Sequence, residues 1–234
     1  IESPGDRVTL KLNEKSLLNW TNPVRQQERG ALFVWMNDDR PLAIGSFFTY
    51  EYNAKVYTKH EFHSLSTKPI KSTFDGKLAW NPKVAGIEWG QTPNAPEPAK
   101  THTARLLQMR DVSRRFRAEL TNPMNERTEL RLVSRPLLEY SSPKQHVIDG
   151  AIFSFTVATD PEVLLLVEAV EETVNGSVRS SYRHAFARFH YWNVAVFEGD
   201  TKVWEATLDR SHETNPIGKV ENVGKIYNSY HPRP

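Results

Sequence analysis

The sequence predicts a mainly β protein, α+β by strict count. Two duplicated antiparallel meanders form a sandwich or a partly open barrel, with one long helix at about 101–120 between the repeats. Three observations predict it. Apolar and polar residues alternate with a period near 2 through most of the chain, as they do along half-buried strands. The first half recurs in the second 120 residues later, without a gap from Leu10 to Pro41. A Pro-rich link and a single helical pattern separate the two copies. A β-barrel plugged by that helix is the nearest rival architecture.

The repeat is explicit. Leu10-Lys11-Leu12 matches Leu130-Arg131-Leu132, and Leu17-Leu18-Asn19-Trp20-Thr21-Asn22-Pro23 matches Leu137-Leu138-Glu139-Tyr140-Ser141-Ser142-Pro143. Gly30 to Trp35 matches Gly150 to Phe155, and Arg40-Pro41 matches Asp160-Pro161. After a four-residue insertion, His60-Glu61-Phe62 falls on His184-Ala185-Phe186 and Trp80 on Trp204. Such a pattern implies one supersecondary unit used twice, about a pseudo-two-fold axis. The chain therefore reads as one domain over 1–234. The first repeat covers 8–80, the link and helix 93–121, the second repeat 128–208, and an irregular tail 209–234.

Within the first repeat, Gly30 to Met36, Pro41 to Tyr52 and Lys55 to Ser66 read as antiparallel strands. Turns at Asn37-Asp38-Asp39-Arg40 and Asn53-Ala54 join them. Pro93-Asn94-Ala95-Pro96-Glu97-Pro98 precedes the helix, which Thr101 or Thr103 caps and Asn122-Pro123 stops. Leu106, Met109, Val112, Ser113, Phe116 and Leu120 fall within an arc of about 120° on a helical wheel, a core-facing stripe. The second repeat supplies strands Gly150 to Thr156, Glu162 to Glu171 and Tyr182 to Phe197. A hairpin then closes through Glu198-Gly199-Asp200 into Lys202 to Leu208. Val163 to Val167 is apolar on both faces and belongs in the middle of a sheet. Ile226, Tyr227 and Tyr230 are the anchors available to the tail.

Composition narrows the function classes. The 234 residues carry 30 basic and 28 acidic side chains, a net charge of +2, which gives no electrostatic case for nucleic acid. Apolar runs such as Val163 to Val167 are far short of a transmembrane segment. Cysteine is absent, so thiol catalysis, disulfides and thiolate metal sites are excluded. There is no Walker loop, dinucleotide fingerprint, Gly-x-Ser-x-Gly elbow or His-Glu-x-x-His helix, and no cofactor is expected. The chain begins at Ile1 without an initiator Met. The expectation is export to the periplasm or the extracellular space after removal of a leader, a cytoplasmic protein being the alternative.

Three groups of residues are candidate sites. On a strand, Glu61 and His63 share a face with Tyr57 and Lys59, and His60 takes the other. A carboxylate and an imidazole at i and i+2 suit acid/base or metal chemistry, though no third metal ligand is identifiable. The plainer reading makes Glu61 and His63 a solvated face and His60 a core histidine. His60 and His184 hold equivalent places, and a pseudo-two-fold axis would bring them together at a shared interface or leave them as packing relics. Phe48, Tyr50 and Tyr52 line one strand face and offer an aromatic floor for a sugar, lipid or flat organic ligand. Arg110, Arg114 and Arg117 lie on one flank of the expected helix as an anion-binding stripe, or as an ordinary solvated face.

Several stretches resemble a family of exported bacterial proteins with no assigned activity: Leu18 to Pro23, Gly30 to Trp35, Glu61 to Ser66, Ala104 to Arg110, Asp149 to Phe153 and Thr159 to Leu166. The resemblance implies a cleaved leader and carries no catalytic residue across. The sequence points to a non-catalytic ligand-binding or interaction domain, its ligand a small molecule or a protein. The alternatives are a hydrolase or metal-dependent enzyme using Glu61 and His63, with Tyr57 or His190 in support, and a structural subunit pairing through a sheet edge. Gly45-Ser46 in the first repeat has become Leu165-Leu166 in the second, so one half is expected to open where the other is buried.

Overall fold

Turn chemistry sets the frame. Asp38 and Asp39 have φ of 45° and 61°, and Asn53 and Ala54 have 51° and 55°. Two consecutive left-handed residues make a two-residue hairpin loop whose twist matches the strands on either side. A computed structural model describes residues 1–3, 8–74, 76–174, 176–208 and 225–230, so most of the tail at 209–234 lies outside the described residues. The described structure is 62% strand and 9% helical.

In chain order the strands begin with β1 (Glu2–Ser3), β2 (Val8–Thr9), β3 (Lys11–Leu12) and β4 (Leu18–Asn22), followed by a 3-10 turn at Pro23–Arg25. Then come β5 (Gln27–Asn37), β6 (Arg40–Tyr52), β7 (Lys55–Ser64), β8 (Ser72–Phe74), β9 (Lys77–Trp80) and β10 (Gly90–Gln91). The helix α1 (His102–Ser113) leads into β11 (Phe116–Thr121) and β12 (Arg127–Ser142), and a second 3-10 turn lies at Pro143–Gln145. The remainder is β13 (Val147–Val157), β14 (Asp160–Val174), β15 (Ser177–Arg188), β16 (Asn193–Glu198), β17 (Thr201–Ala206) and β18 (Tyr227–Tyr230).

Two main antiparallel sheets result. The larger, a curled half-barrel, has the order β10-β15-β14-β13-β12-β11-β16-β17. The smaller has the order β18-β7-β6-β5-β3, with β4 also on β5. The second 3-10 turn and β13 repeat the first turn and β5 at the same 120-residue spacing, and β12 to β15 pair in the order of β3/β4 to β7.

Period-2 alternation then divides the core into layers. Odd-numbered residues of β14, Val163, Leu165 and Val167, face the hollow of the half-barrel, where Met109 and Val112 of α1 pack on them. Even-numbered Leu164 and Leu166 face the smaller sheet and meet Leu32 and Ile44. On the far side of the smaller sheet, Leu42, Phe62, Ile70 and Trp80 form a third cluster.

Two element boundaries differ from expectation. The helix, capped by Thr101 Oγ1 at 3.3 Å from the Ala104 amide, ends at Ser113 and not near 120. Phe116, Ala118 and Leu120 are buried in alternation, and β11 is paired on both sides by β12 and β16. Phe116 and Leu120 are four apart, a spacing that fits a helical stripe and a strand face equally. The long strand expected over Tyr182 to Phe197 breaks after Arg188. There the guanidinium donates to the carbonyls of His190, Trp192 and Thr207 at 2.7–2.8 Å and holds the chain in a loop. In the tail, Tyr227–Tyr230 pairs with β7, placing Tyr227 opposite His63 and Tyr230 opposite His60.

Candidate functional site

Where the two sheets face each other, the apolar layer gives way to a polar seam. Glu61 and His63 of β7 point into it with Lys59, and all three are buried, so the solvated-face reading is overturned. Burial follows from β7 lying inside its sheet, with β6 on one side and β18 on the other, and from the half-barrel covering this face. Phe62, pointing the opposite way, packs at 5.8 Å on Trp80.

Across the seam stand Asp160 and Glu162. One guanidinium serves both: Arg25 Nη1 is 2.7 Å from Glu162 Oε1 and 3.3 Å from Asp160 Oδ2. Asn22 Nδ2 donates to Asp160 Oδ2 at 3.0 Å, and Tyr227 Oη donates to Glu61 Oε1 at 3.0 Å. Glu162 Oε2 and Asn22 Oδ1 are buried without a hydrogen-bond partner. Electrostatics follow from this crowding. Burial pushes the Asp160 carboxyl up to about 7, with the charge of Glu61 adding to it and Asn22 and Arg25 opposing. Burial, and then Asp160, raise Glu162 well above the usual carboxylate range. Burial lowers Lys59, whose ammonium lies 5.0 Å from the Tyr191 ring centroid. His63 is lowered by burial to about 4, and its Nδ1 lies 2.8 Å from the Ser64 carbonyl.

The seam thus gathers the groups of an acid/base site, but substrate access does not follow. His63 lines a cleft of about 350 Å³ beside Gly86, Glu88, Arg188 and Trp204, and Glu61 is not part of that lining. Tyr57 is exposed on the β6–β7 hairpin. His190 is buried in the loop after β15, stacked on Tyr191 with centroids 4.5 Å apart, and its Nδ1 accepts from the Trp192 amide. Among the described residues, no group of three or more His, Asp or Glu side chains is placed to hold a metal ion. No described helix is long and apolar enough to cross a membrane.

The aromatic floor divides. Phe48 is buried against Trp20 with ring centroids 5.2 Å apart, so it is core and not a ligand surface. Tyr50 is half-buried and stacks on Tyr57 at 5.6 Å and 21°. The Tyr52 side chain lies outside the described residues. The arginines share no flank, because Arg117 sits on β11, where it pairs with Glu119 and covers the Phe197 ring. Arg114 is exposed and bonded to Asp111, and Arg110 is half-buried on α1. His60 and His184 do occupy matching ladder positions, opposite Phe47 and Val167. Their ring contacts differ: His60 meets Phe47 at 4.6 Å, and His184 meets Phe116 at 4.9 Å and the Thr92 hydroxyl at 3.0 Å.

The halves differ beside the first 3-10 turn. In the second half, pairing of β13 with β14 runs out to Val147 opposite Val170, and the Glu171 amide donates to the His146 carbonyl at 3.0 Å. In the first half the β5–β6 ladder ends at Arg29 opposite Thr49. The β6–β7 hairpin continues beyond it and stands away from the turn. A cleft of about 500 Å³ opens there, lined by Thr21, Gln26, Gln27, Thr49, Tyr50 and Glu51 together with Pro23 and Val56. Sequence reasoning found Tyr50 and missed the rest. The available signal was that Gln27 and Tyr50 stand where the second repeat has Val147 and Val170.

Comparison of the chain with protein-family models, with curated proteins and with solved structures finds no match.

Proposed function

We propose that the protein is a non-catalytic ligand-binding domain whose site is the cleft between the Pro23–Arg25 turn and the β6–β7 hairpin. One observation carries this reading: the place that main-chain pairing closes in the second half is an open, Tyr50-walled concavity of about 500 Å³ in the first. That volume is within the range of roughly 300–1,000 Å³ typical of small-molecule sites. The test is amide-resonance mapping against small molecules of different chemical classes. A ligand of this domain shifts the resonances of residues 21–27 and 49–56 and raises the melting temperature with its concentration. Shifts confined to other regions count against the cleft.

A second reading has its own support. Lys59, Glu61, Asp160 and Glu162 converge, with the Asp160 and Glu162 carboxyls held above their ordinary range, as at many acid/base sites. On that reading the protein is a hydrolase using Glu61 and His63, and Glu61→Gln abolishes turnover while the fold persists. The closed packing around Glu61 favours the binding reading. A third, assembly through the edge strand β17, is opposed by the Lys202–Glu205 pair on that strand, since charges on an edge discourage strand addition.

A further inference from the structure

We infer that the cleft takes a neutral saccharide. The inference rests on the cleft being a binding site and adds the chemistry of its occupant. The described lining carries two amides, two hydroxyls, one carboxylate and one phenol ring beside the apolar Pro23 and Val56, and among the described residues no lysine, arginine or histidine lines the cleft. An anionic ligand would find no countercharge among the described lining residues and would face Glu51. Amides and hydroxyls both donate and accept hydrogen bonds, and a carboxylate accepts two. That inventory complements adjacent sugar hydroxyls, each of which also donates and accepts.

Two features sharpen the match. Gln27 Oε1 is buried beside the cleft without a hydrogen-bond partner, an acceptor that a ligand hydroxyl satisfies once the side chain turns outward. A buried polar atom left unpaired is costly, so supplying its donor favours binding. Tyr50 is backed by its stacked neighbour Tyr57, which fixes the ring as a flat apolar wall beside the polar groups. A pyranose has the same division, with an apolar C–H face and a polar rim. An extended peptide fits less well: the edge of β6 beyond Thr49 offers only Tyr50–Tyr52, at the lower limit of strand length, roughly 3–10 residues.

The experiment is a glycan array of neutral and acidic oligosaccharides probed with the full chain, followed by calorimetry on whatever is retained. The expected result is retention of neutral glycans and not of sulfated or uronic-acid ones. The double variant Gln27→Val with Tyr50→Val, which installs the residues of the second repeat, weakens binding at least tenfold. Glu51 is exposed, and Glu51→Ala, which leaves the fold untouched, weakens it several-fold. Retention of acidic glycans alone, or neutral binding that survives both variants, overturns the inference. If no glycan binds but an extended peptide or a flat aromatic compound shifts residues 21–27 and 49–56, the saccharide assignment falls and the binding site stands. If none of the three shifts them, both fall.

Discussion

Arg40 donates through Nε and Nη2 to the two oxygens of Glu168, 128 positions away, at 2.9 and 3.0 Å. The pair ties the first repeat to the second. Glu168 is fully buried and also receives Arg183, at 2.7 and 2.9 Å, and the Tyr140 hydroxyl, at 3.0 Å. Both guanidinium groups lie against the Trp89 ring. Glu168→Ala leaves two facing cations without their anion and is expected to cost about 3–5 kcal/mol, the range for breaking a buried ion pair. Arg40→Ala leaves Arg183 and Tyr140 in place and should cost less, about 1–3 kcal/mol. Urea unfolding of both variants checks the order, and equal losses would contradict it.

Trp20 lies over Gly30 and Tyr140 over Gly150, each ring on its own ladder partner. A Cβ on Gly30 would come within 2.1 Å of the Trp20 ring, and one on Gly150 within 2.3 Å of the Tyr140 ring. Either ring is pinned, Trp20 by its bond to Ser46 and Tyr140 by its bond to Glu168. Gly30→Ala and Gly150→Ala should each therefore lower stability by about 1–3 kcal/mol or more, the cost of overpacking. Because the clash is with one side chain, Gly30→Ala combined with Trp20→Leu should lose less than the sum of the two single changes. Thermal denaturation of the three variants decides it.

The members of these aromatic–glycine pairs were legible as repeated positions, since each recurs at the 120-residue spacing. Phe62 with Trp80 and Phe186 with Trp204 recur beyond the four-residue insertion, and both ring pairs are 5.8 Å apart, tilted by 37° and 38°. Local patterns were less decisive where two periods coincide, as at Phe116 and Leu120. Alternation put Lys59, Glu61 and His63 on one face, but whether a second sheet covers that face is a tertiary fact with no local signature. The cleft was hardest to see. It arises where pairing stops, and its trace in the sequence is the polar Gln27 and the aromatic Tyr50 standing where the other repeat has two valines.

His63 provides a test of how dry the seam is. With Nδ1 donating to the Ser64 carbonyl, the neutral ring keeps Nε2 as the unprotonated nitrogen. Burial lowers the ring to about 4, so its resonances should remain those of the Nδ1–H tautomer down to pH 5. The stability it contributes is fully present above 6.5 and is lost as pH falls toward 4. A shift of this size corresponds to on the order of 3 kcal/mol. Nitrogen-15 spectra showing a midpoint near 6.5 would mean that water reaches the ring.

Asp160 has the opposite sign. Its folded value of about 7 lies above the ordinary 3.8, so the folded protein holds a proton that the unfolded chain releases. Its contribution is fully present below 3.8 and is lost as pH rises through 7, on the order of 4 kcal/mol for a shift of about three units. Beside burial, the groups that set it are Asn22 and Arg25, which oppose the rise, and Glu61, which adds to it; Asp160 in turn raises Glu162 on its own strand. Between pH 4 and 6.5 the slopes from Asp160 and His63 oppose each other, which flattens the profile of the parent protein. Asp160→Asn retains an acceptor for Asn22 and Arg25 but cannot ionise. Relative to the parent it should gain stability progressively from pH 4.5 to 7.5, leaving the His63 slope visible in the acid range. Urea unfolding at four pH values across that window measures the difference. Parallel profiles for the two proteins would show that Asp160 is ionised throughout and that Arg25 compensates both carboxylates.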